Sequence, residues 1–308
     1  MDSSLKQLLV QPRNWVPAIG LSILWLLNLL PYALKIRAGM LIGRLLYPLA
    51  RRRRHIAAVN IRLCFPALNA AQQQQLLKAT FRNFGAGLIE TAMGWWSEKD
   101  SVYPMVEFHG REHLDAAIAK GKGVILVGAH FSSLDLAAKM MSRYFDVHAV
   151  YRRQKNPLMN YALRRGRMSA LKSLIDNRDT RRIVRTIRAG NLLWFAPDHD
   201  MGEKMSVYAP FFEQQAATVT ITAKYVRLTG APVVFCATHR NEKNNGYVVR
   251  MSPIDADFAS GDDVSLATII NRAITDHILI DPAQYYWFHR KFKTQPGKPK
   301  AALYEVQA

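Results

Sequence analysis

Cysteine is scarce in this sequence of 308 residues, because only Cys64 and Cys236 are present and their spacing suits neither a disulfide framework nor a zinc site. Acidic residues are also few: 23 Asp and Glu stand against 42 Lys and Arg, so the formal net charge is +19 at pH 7. The low cysteine content fits a reducing compartment. The positive charge indicates a polyanionic partner, such as nucleic acid, an anionic membrane or a phosphorylated substrate.

Charge is missing altogether from the stretch between Asn14 and Leu34. A helix needs about 20 apolar residues to cross a bilayer, and this stretch has that length. It is too long for the apolar region of a cleavable signal peptide, and no small-residue cleavage site follows it. Basic residues crowd its C-terminal side, which places the rest of the chain in the cytoplasm. The stretch therefore predicts membrane association, either spanning or interfacial; a buried core helix is the alternative.

Internal repeats are absent, and after residue 106 short apolar runs alternate with helical patterns. The run GVILVGA, residues 123–129, has no polar alternation, which predicts a strand covered on both faces, as in a parallel sheet. Residues 231–240 and 246–252 flank a polar turn and predict a hairpin. A long helix is expected over residues 69–96. The chain is therefore predicted to be an α/β protein whose mostly parallel central sheet is flanked by helices, with an N-terminal membrane-anchoring helix.

His130 follows the predicted strand at 123–129, and Asp135 comes five residues later. In such sheets ligands bind beyond the carboxyl ends of the strands. If His130 precedes a helix and Asp135 lies in its first turn, the carboxylate can reach back and fix the imidazole tautomer. The alternative is that Ser132 and Asp135 only form a capping box at the helix start.

A nucleophile-elbow motif, G-x-S-x-G, is missing from the sequence. Nothing else near His130 marks a serine or cysteine as a covalent nucleophile. The pair of His130 and Asp135 therefore predicts a general base that activates a substrate hydroxyl directly. Imidazole suits this role because its ordinary pKa lies close to working pH.

The H-x4-D motif in AHFSSLD resembles the signature of the glycerolipid acyltransferase superfamily. Further blocks narrow the resemblance to the lipid A biosynthesis acyltransferases, which add secondary acyl chains to the Kdo-bearing lipid A precursor. These blocks are RRRRHIAAVNIRLCFP (51–66), VYRRQKNPLMN (150–160), RRGRMSALKSLID (164–176), WFAPDHD (194–200) and QYYWFHRKFKTQP (284–296). Together they cover nearly the whole chain.

The resemblance implies a reaction: an acyl chain passes from acyl carrier protein to the hydroxyl of a 3-hydroxyacyl chain on the precursor. His130 is then the general base and Asp135 its orienting acid. No resident cofactor is implied, because the carrier-protein thioester is the donor substrate. The resemblance also implies a bacterial inner-membrane location, with residues 1–50 as the anchor and residues 51–308 as a cytoplasmic catalytic domain.

Basic residues beyond the predicted strand at 147–151 acquire a role from this resemblance. The acceptor carries phosphates and carboxylates, which arginine binds through a planar fork. We expect Arg152, Arg153, Arg164, Arg167 and Lys172 to bind the acceptor. The alternative is that some of them only coat an anionic membrane. The arginines between residues 178 and 188 are expected to meet lipid headgroups or the acidic carrier protein.

The triplet Asp198, His199 and Asp200 follows another predicted strand. Consecutive residues point in different directions and no further ligand stands at a suitable spacing, so no metal is expected. The triplet is included as a site element without an assigned role, and a simple turn in which Asp198 caps the backbone is the alternative.

Two other functions are compatible with the sequence. A glycerophosphate or lysophospholipid acyltransferase shares the His–Asp chemistry. A basic nucleic-acid-binding protein fits the charge, but the uncharged N-terminal stretch and the lack of a zinc-finger, RRM or KH pattern argue against it. The expected partners are therefore acyl carrier protein, the lipid A precursor and an anionic membrane, with no nucleic acid. Acyl chain length depends on the floor of an apolar tunnel that the sequence does not locate.

Overall fold

A seven-stranded sheet forms the centre of the computed structural model, which describes residues 3–305. The strands lie in the order β1-β9-β8-β2-β5-β3-β4, and every neighbouring pair is parallel except β8 and β9. Their bounds are β1 (Val106–His109), β2 (Val124–Val127), β3 (Val147–Tyr151), β4 (Ser173–Asp176), β5 (Leu192–Phe195), β8 (Val233–Arg240) and β9 (Tyr247–Pro253). The predicted mostly parallel sheet and the hairpin are both confirmed. A separate antiparallel ribbon, β6 (Ser206–Phe211) and β7 (Gln214–Val219), was not predicted.

Helices cover both faces of this sheet. Their bounds are α1 (Ser3–Leu9), α2 (Trp15–Asn28), α3 (Tyr32–Leu49), α4 (Arg51–Cys64), α5 (Ala70–Trp96), α6 (Lys99–Val102), α7 (Arg111–Ala119), α8 (Leu134–Met141), α9 (Pro157–Arg167), α10 (Thr180–Arg188), α11 (Ile221–Thr229) and α12 (Asp263–Ile280). Helix α5 matches the long helix expected over 69–96, and Asn69 closes its start with a capping box to Gln72.

Strand β2 shows why the sheet is apolar on both sides, since all four of its side chains are fully buried. Ile125 and Val127 face one hydrophobic cluster, which includes Ile183 and Ile187 of α10. Val124 and Leu126 face a second cluster, which includes residues of α7 and α8. Successive side chains of a strand point to opposite faces, so an uninterrupted apolar run is what a doubly covered strand requires.

The uncharged N-terminal stretch does not form the single helix that was expected. It divides into α2 and α3, with Leu29, Leu30 and Pro31 between them, because a proline lacks an N–H and disfavours helical geometry in the residue before it. Within residues 3–305 no helix is both long enough and apolar enough to pass through a membrane. The anchor and catalytic-domain limits remain predictions, and their residues 1–2 and 306–308 lie outside the described part of the chain.

Helix α3 packs closely along α5. A Cβ atom built on Gly43 would lie 2.0 Å from the carbonyl oxygen of Phe81, so only glycine allows this approach of the two helices. The outer side of α2 and α3 is left apolar and exposed. It carries Trp15, Val16, Ile19, Ile23, Trp25, Leu26, Leu29, Leu30, Leu34, Leu41, Leu45 and Leu49, which we call the apolar N-terminal surface.

Candidate active site

The site lies at the carboxyl edge of two neighbouring strands. Strands β2 and β5 pair in register, with Val127 opposite Phe195, and His130 and Asp198 each follow three residues after those positions. Parallel strands deliver their ends to the same edge, so the register alone brings these two residues together. Gly128 allows the chain to leave β2 beside the Trp194 indole, where a Cβ atom would lie 2.6 Å from Nε1.

Asp198 holds His130 by two hydrogen bonds. The backbone N–H of His130 donates to Oδ2 at 3.0 Å, and the ring Nδ1 lies 2.7 Å from Oδ1. The hydroxyl of Tyr285 also donates to Oδ2, at 3.0 Å. An ionised carboxylate only accepts, so it assigns the proton of a neutral His130 ring to Nδ1 and leaves Nε2 as a free base. The His130 side chain is 30% exposed, whereas that of Asp198 is completely buried.

The ionised state of Asp198 is secured by its neighbours. Burial alone opposes ionisation, but the charge and hydrogen bonds of His130, with a contribution from His199, hold the pKa of Asp198 well below its usual range. Asp198 is therefore a buried anion that accepts hydrogen bonds from His130. Such an arrangement orients an imidazole and stabilises its protonated form.

Asp135 does not make the hydrogen bond that was expected of it. It lies in the first turn of α8, as predicted, but its carboxylate receives two bonds from Arg167, Nε to Oδ1 at 2.6 Å and Nη2 to Oδ2 at 3.3 Å. The reason is that α9 delivers a guanidinium to the carboxylate, while Asp198 already occupies the Nδ1 side of His130. The capping alternative is not supported either, since Ser133 is the N-cap residue and makes no side-chain cap.

The rings of His199 and His289 lie beside the ring of His130. The ring of His199 stacks on that of His130 with centroids 4.1 Å apart, and His289 lies 3.7 Å from His199 by the same measure. Burial, together with the positive charge of neighbouring histidines, lowers the pKa of His199 to about 4 and that of His289 to about 3. Both rings are therefore neutral at neutral pH.

Asp200, the third residue of the triplet, binds residues 283–295, which we call the C-terminal segment, beside the site. Its oxygens accept from the backbone N–H of Thr294 at 2.8 Å and from the Thr294 hydroxyl at 3.0 Å. The buried Lys291 donates from Nζ to the carbonyl oxygen of Asp198 at 3.0 Å. Burial lowers the pKa of Lys291 to about 8, against the opposing charges of Asp198 and Asp200. These contacts fix the backbone on which Asp198 stands.

The donor set of His130, Asp198 and His199 is the one group of its kind within residues 3–305 whose atoms lie close enough to hold a metal, all within 4.8 Å. Its geometry does not suit an ion. The two imidazole planes are nearly parallel, at 10°, whereas one ion must lie in the plane of each ring that binds it. The oxygens of Asp198 already accept from His130 and Tyr285.

The structure brings together only some of the predicted acceptor-binding residues. Arg167 joins the site through Asp135, and Arg152 and Arg153 lie exposed just beyond the carboxyl end of β3. Arg164 is hydrogen-bonded to the hydroxyl of Tyr151 and lies over its ring. Lys172 lies elsewhere: it precedes β4 and pairs with Asp146, which precedes β3, so it belongs to the opposite edge of the sheet.

Two cavities meet at the Asp135–Arg167 pair. The first, which we call the site pocket, has a volume of about 240 Å³ and is lined by His130 and the C-terminal segment. The second, the apolar cavity, has a volume of about 50 Å³ and runs beneath α8 between Leu126, Met141 and Leu171. Phe131, Leu134, Asp135 and Arg167 line both. A pocket that contains His130 and an apolar cavity that shares a wall with it suit a substrate with a reactive head and a hydrocarbon tail.

Only the structure identifies Asp198 as the hydrogen-bond partner of His130. The sequence placed it after a strand but gave no partner for it, and the contributions of Tyr285 and Lys291 were not predicted. The available signal was the equal spacing of His130 and Asp198 from the ends of β2 and β5, which is informative only once those strands are known to be neighbours.

Comparison with known proteins identifies the family of this chain. The family model for bacterial lipid A biosynthesis acyltransferase matches residues 3–294. Lipid A biosynthesis lauroyltransferase of Escherichia coli (strain K12) is 34% identical over 289 residues, which cover 94% of each chain. Lipid A biosynthesis palmitoleoyltransferase of the same strain is 35% identical over 288 residues, 93% of this chain and 94% of that protein. Lipid A biosynthesis myristoyltransferase of that strain is 24% identical over 295 residues, 93% of this chain and 90% of that protein. The chain therefore belongs to the bacterial lipid A biosynthesis acyltransferases.

Proposed function

We propose that this acyltransferase moves an acyl chain from acyl carrier protein to a hydroxyl of a 3-hydroxyacyl chain on the Kdo-bearing lipid A precursor. The observation that carries the proposal is the free Nε2 of His130, which opens on the site pocket while Nδ1 is held by the buried Asp198. No covalent enzyme intermediate and no resident cofactor enter the proposed step.

The transfer begins when His130 Nε2 takes the proton of the acceptor hydroxyl. The resulting oxygen nucleophile attacks the thioester carbonyl, and the tetrahedral intermediate collapses with cleavage of the carbon–sulfur bond. The protonated imidazole then returns its proton to the departing thiolate of the carrier's pantetheine. Asp198 favours the transfer of the acceptor proton to His130, because its negative charge stabilises the imidazolium that forms.

Arg167 is the cationic group best placed to act on the thioester oxygen. Asp135 binds two of its donors, and the pair lies where the site pocket meets the apolar cavity. A guanidinium has five donors, so three remain for a substrate. We propose that Asp135 aims Arg167 at the carbonyl, where a fixed positive charge stabilises the developing oxyanion.

The apolar cavity supports binding of the acyl tail. Its wall is built from side chains of the sheet and of α8, including Leu126, Met141, Trp194 and Cys236. Burial raises the pKa of Cys236 to about 12, so its thiol stays protonated and acts as part of the apolar lining. We propose that the first carbons of the acyl chain enter here from the shared wall.

The acceptor's phosphates would meet Arg152 and Arg153, which are exposed at the same edge of the sheet as His130. The apolar N-terminal surface supports an inner-membrane location, because a patch of this kind on a water-soluble monomer is rare and marks a membrane or partner contact. In this proposal the apolar N-terminal surface lies against the bilayer, and the site pocket opens on the cytoplasmic side of the membrane.

Acceptor choice is tested with purified protein in detergent or membranes. We expect radiolabelled acyl chain from acyl carrier protein to appear on the Kdo-bearing precursor and not on lysophosphatidate or glycerol phosphate. Transfer to lysophosphatidate alone would replace the proposed function with that of a glycerophospholipid acyltransferase. Mass spectrometry of the product identifies the acylated hydroxyl and the chain length.

Asp135→Asn should lower kcat/KM about tenfold, because a hydrogen bond to a charged group contributes about 1.5–3 kcal/mol and Arg167 loses its charged partner. The loss should be smaller than that caused by removing the base. The control is Asp115→Asn, which disturbs an exposed ion pair with Arg111. An unchanged rate, with only a small fall in melting temperature, would show that Asp135 has no part in catalysis.

A further inference from the structure

Helix α10 carries an unusually basic outer face. Ile183 and Ile187 point into the core and are fully buried, and Val184 packs partly against the same cluster, so the arginines occupy the opposite, exposed side of the helix. Five arginines at its start and along its outer side are exposed, and we call them the α10 arginine face: Arg178, Arg181, Arg182, Arg185 and Arg188. The catalytic step described above uses none of them.

These arginines lack neutralising partners in the protein. Within residues 3–305, only Arg188 uses its guanidinium in a hydrogen bond, to the carbonyl oxygen of Leu228. No carboxylate pairs with Arg178, Arg181, Arg182 or Arg185 across that same described range. Like charges spaced four apart on a helix repel one another, so the face costs stability in the free protein. An external anionic partner removes that cost.

The face begins at the edge of the sheet that holds the site. Helix α10 follows β4, and the carboxyl ends of β2, β5, β3 and β4 lie side by side. Three strand spacings separate β2 from β4, which is about 15 Å. A protein docked at the start of the face, near Arg178 and Arg181, stands beside the site, whereas Arg188 at its far end contacts Leu228 at the opposite edge of the sheet. From the start of the face, a flexible prosthetic arm covers about that lateral distance to bring a thioester to His130.

A lipid headgroup is the competing partner, and α2 argues against it because α2 and α10 lie on opposite faces of the sheet. Helix α10 packs on the sheet face that contains Ile125 and Val127. Helix α2, which carries part of the apolar N-terminal surface, packs on α5 and α9, and Leu163 of α9 joins the cluster on the opposite sheet face. The α2 part of the apolar N-terminal surface is therefore on the sheet face opposite α10, whereas Leu46 and Tyr47 of α3 pack against the cluster that α10 also joins.

We propose that the α10 arginine face is the docking surface for the acidic carrier protein that delivers the acyl chain. This inference rests on the proposed function, since it assumes a carrier-protein donor. Positive charge at the rim of a binding site steers an acidic partner and speeds its association, an effect that salt weakens. The carrier's acidic surface would meet the guanidinium groups while its arm enters the site pocket.

The test uses the full chain with Arg181→Glu and Arg185→Glu combined. We expect KM for acyl carrier protein to rise about tenfold or more, since steering changes association by 10–10³-fold. With a small acyl-pantetheine thioester as donor, kcat/KM should stay at the wild-type value. The control is Lys120→Glu with Lys243→Glu, which makes the same change of charge at two exposed positions outside the α10 arginine face.

Three results would overturn the docking proposal. One is an unchanged KM for the acyl carrier protein, and another is an equal loss with the carrier and the small thioester. The third is a loss of binding to phosphatidylglycerol vesicles with carrier kinetics unchanged, which would assign the face to the membrane. Failure of the proposed function is distinguishable, because the wild-type protein itself would then fail to use acyl carrier protein.

Discussion

His130→Ala should lower the rate of acyl transfer by about 10²–10⁴-fold, the usual contribution of a general base. The variant removes the only group that the proposed step uses to take the acceptor proton. Because the His130 ring is partly exposed and its Nε2 opens on the site pocket, the fold should tolerate the change. The measurement is single-turnover transfer from acyl carrier protein to the Kdo-bearing precursor, with circular dichroism to confirm folding.

The matched control for this variant is His113→Ala, which removes an exposed imidazole from α7. It should transfer acyl chains at the wild-type rate. A His130→Ala protein that retains more than about a tenth of the wild-type rate would remove the base from the mechanism, since even a modest base contributes more than that.

Asp198→Asn should cause the second large loss, about 10²-fold or more, because general-base catalysis depends on the tautomer of His130. A neutral amide can donate to Nδ1 as well as accept from it, so it no longer forces the proton onto Nδ1. It also removes the negative charge that stabilises the imidazolium. The rate is measured as for His130→Ala, and KM for the acceptor should change little, since the buried Asp198 has no access to substrate.

Folding must be separated from chemistry for this buried position. The hydrogen bond from Tyr285 can persist with an amide oxygen, so we expect a lower melting temperature but a cooperative transition. Asp255→Asn, at an exposed position, is the control for the substitution itself. A rate near that of the wild-type protein would show that Asp198 serves structure alone.

The fold was largely predictable because its signals are local. The apolar run at β2, the polar turn between β8 and β9, and the Asn69 cap of α5 each depend on neighbouring residues. The N-terminal helices were predicted less well, because the apolar composition of the stretch outweighed the break that Pro31 imposes. The β6–β7 ribbon was missed because its strands mix polar with apolar residues, and they gain their stability from packing against α12.

The site was predictable only in part, since its central pair is formed by tertiary structure. His130 could be recognised from its position at a strand end, but Asp198 lies 68 residues away and becomes its partner only through the pairing of β2 with β5. Asp135, near in sequence, is drawn instead to Arg167, 32 residues away. Lys172 was grouped with the acceptor-binding arginines by its nearness in sequence, but it precedes β4 and so lies at the opposite edge of the sheet from His130.

The central claim is that Asp198, and not Asp135, orients the catalytic imidazole. The most direct test compares single-turnover acyl transfer by Asp198→Asn and Asp135→Asn in one experiment, at saturating carrier protein and precursor. The two variants make the same chemical change, one at the buried partner of His130 and the other at the wall of the site pocket. We predict that Asp198→Asn is at least about tenfold slower than Asp135→Asn. Only the Asp198 variant lets the proton of the His130 ring leave Nδ1 for Nε2. The reverse order of rates would contradict the account.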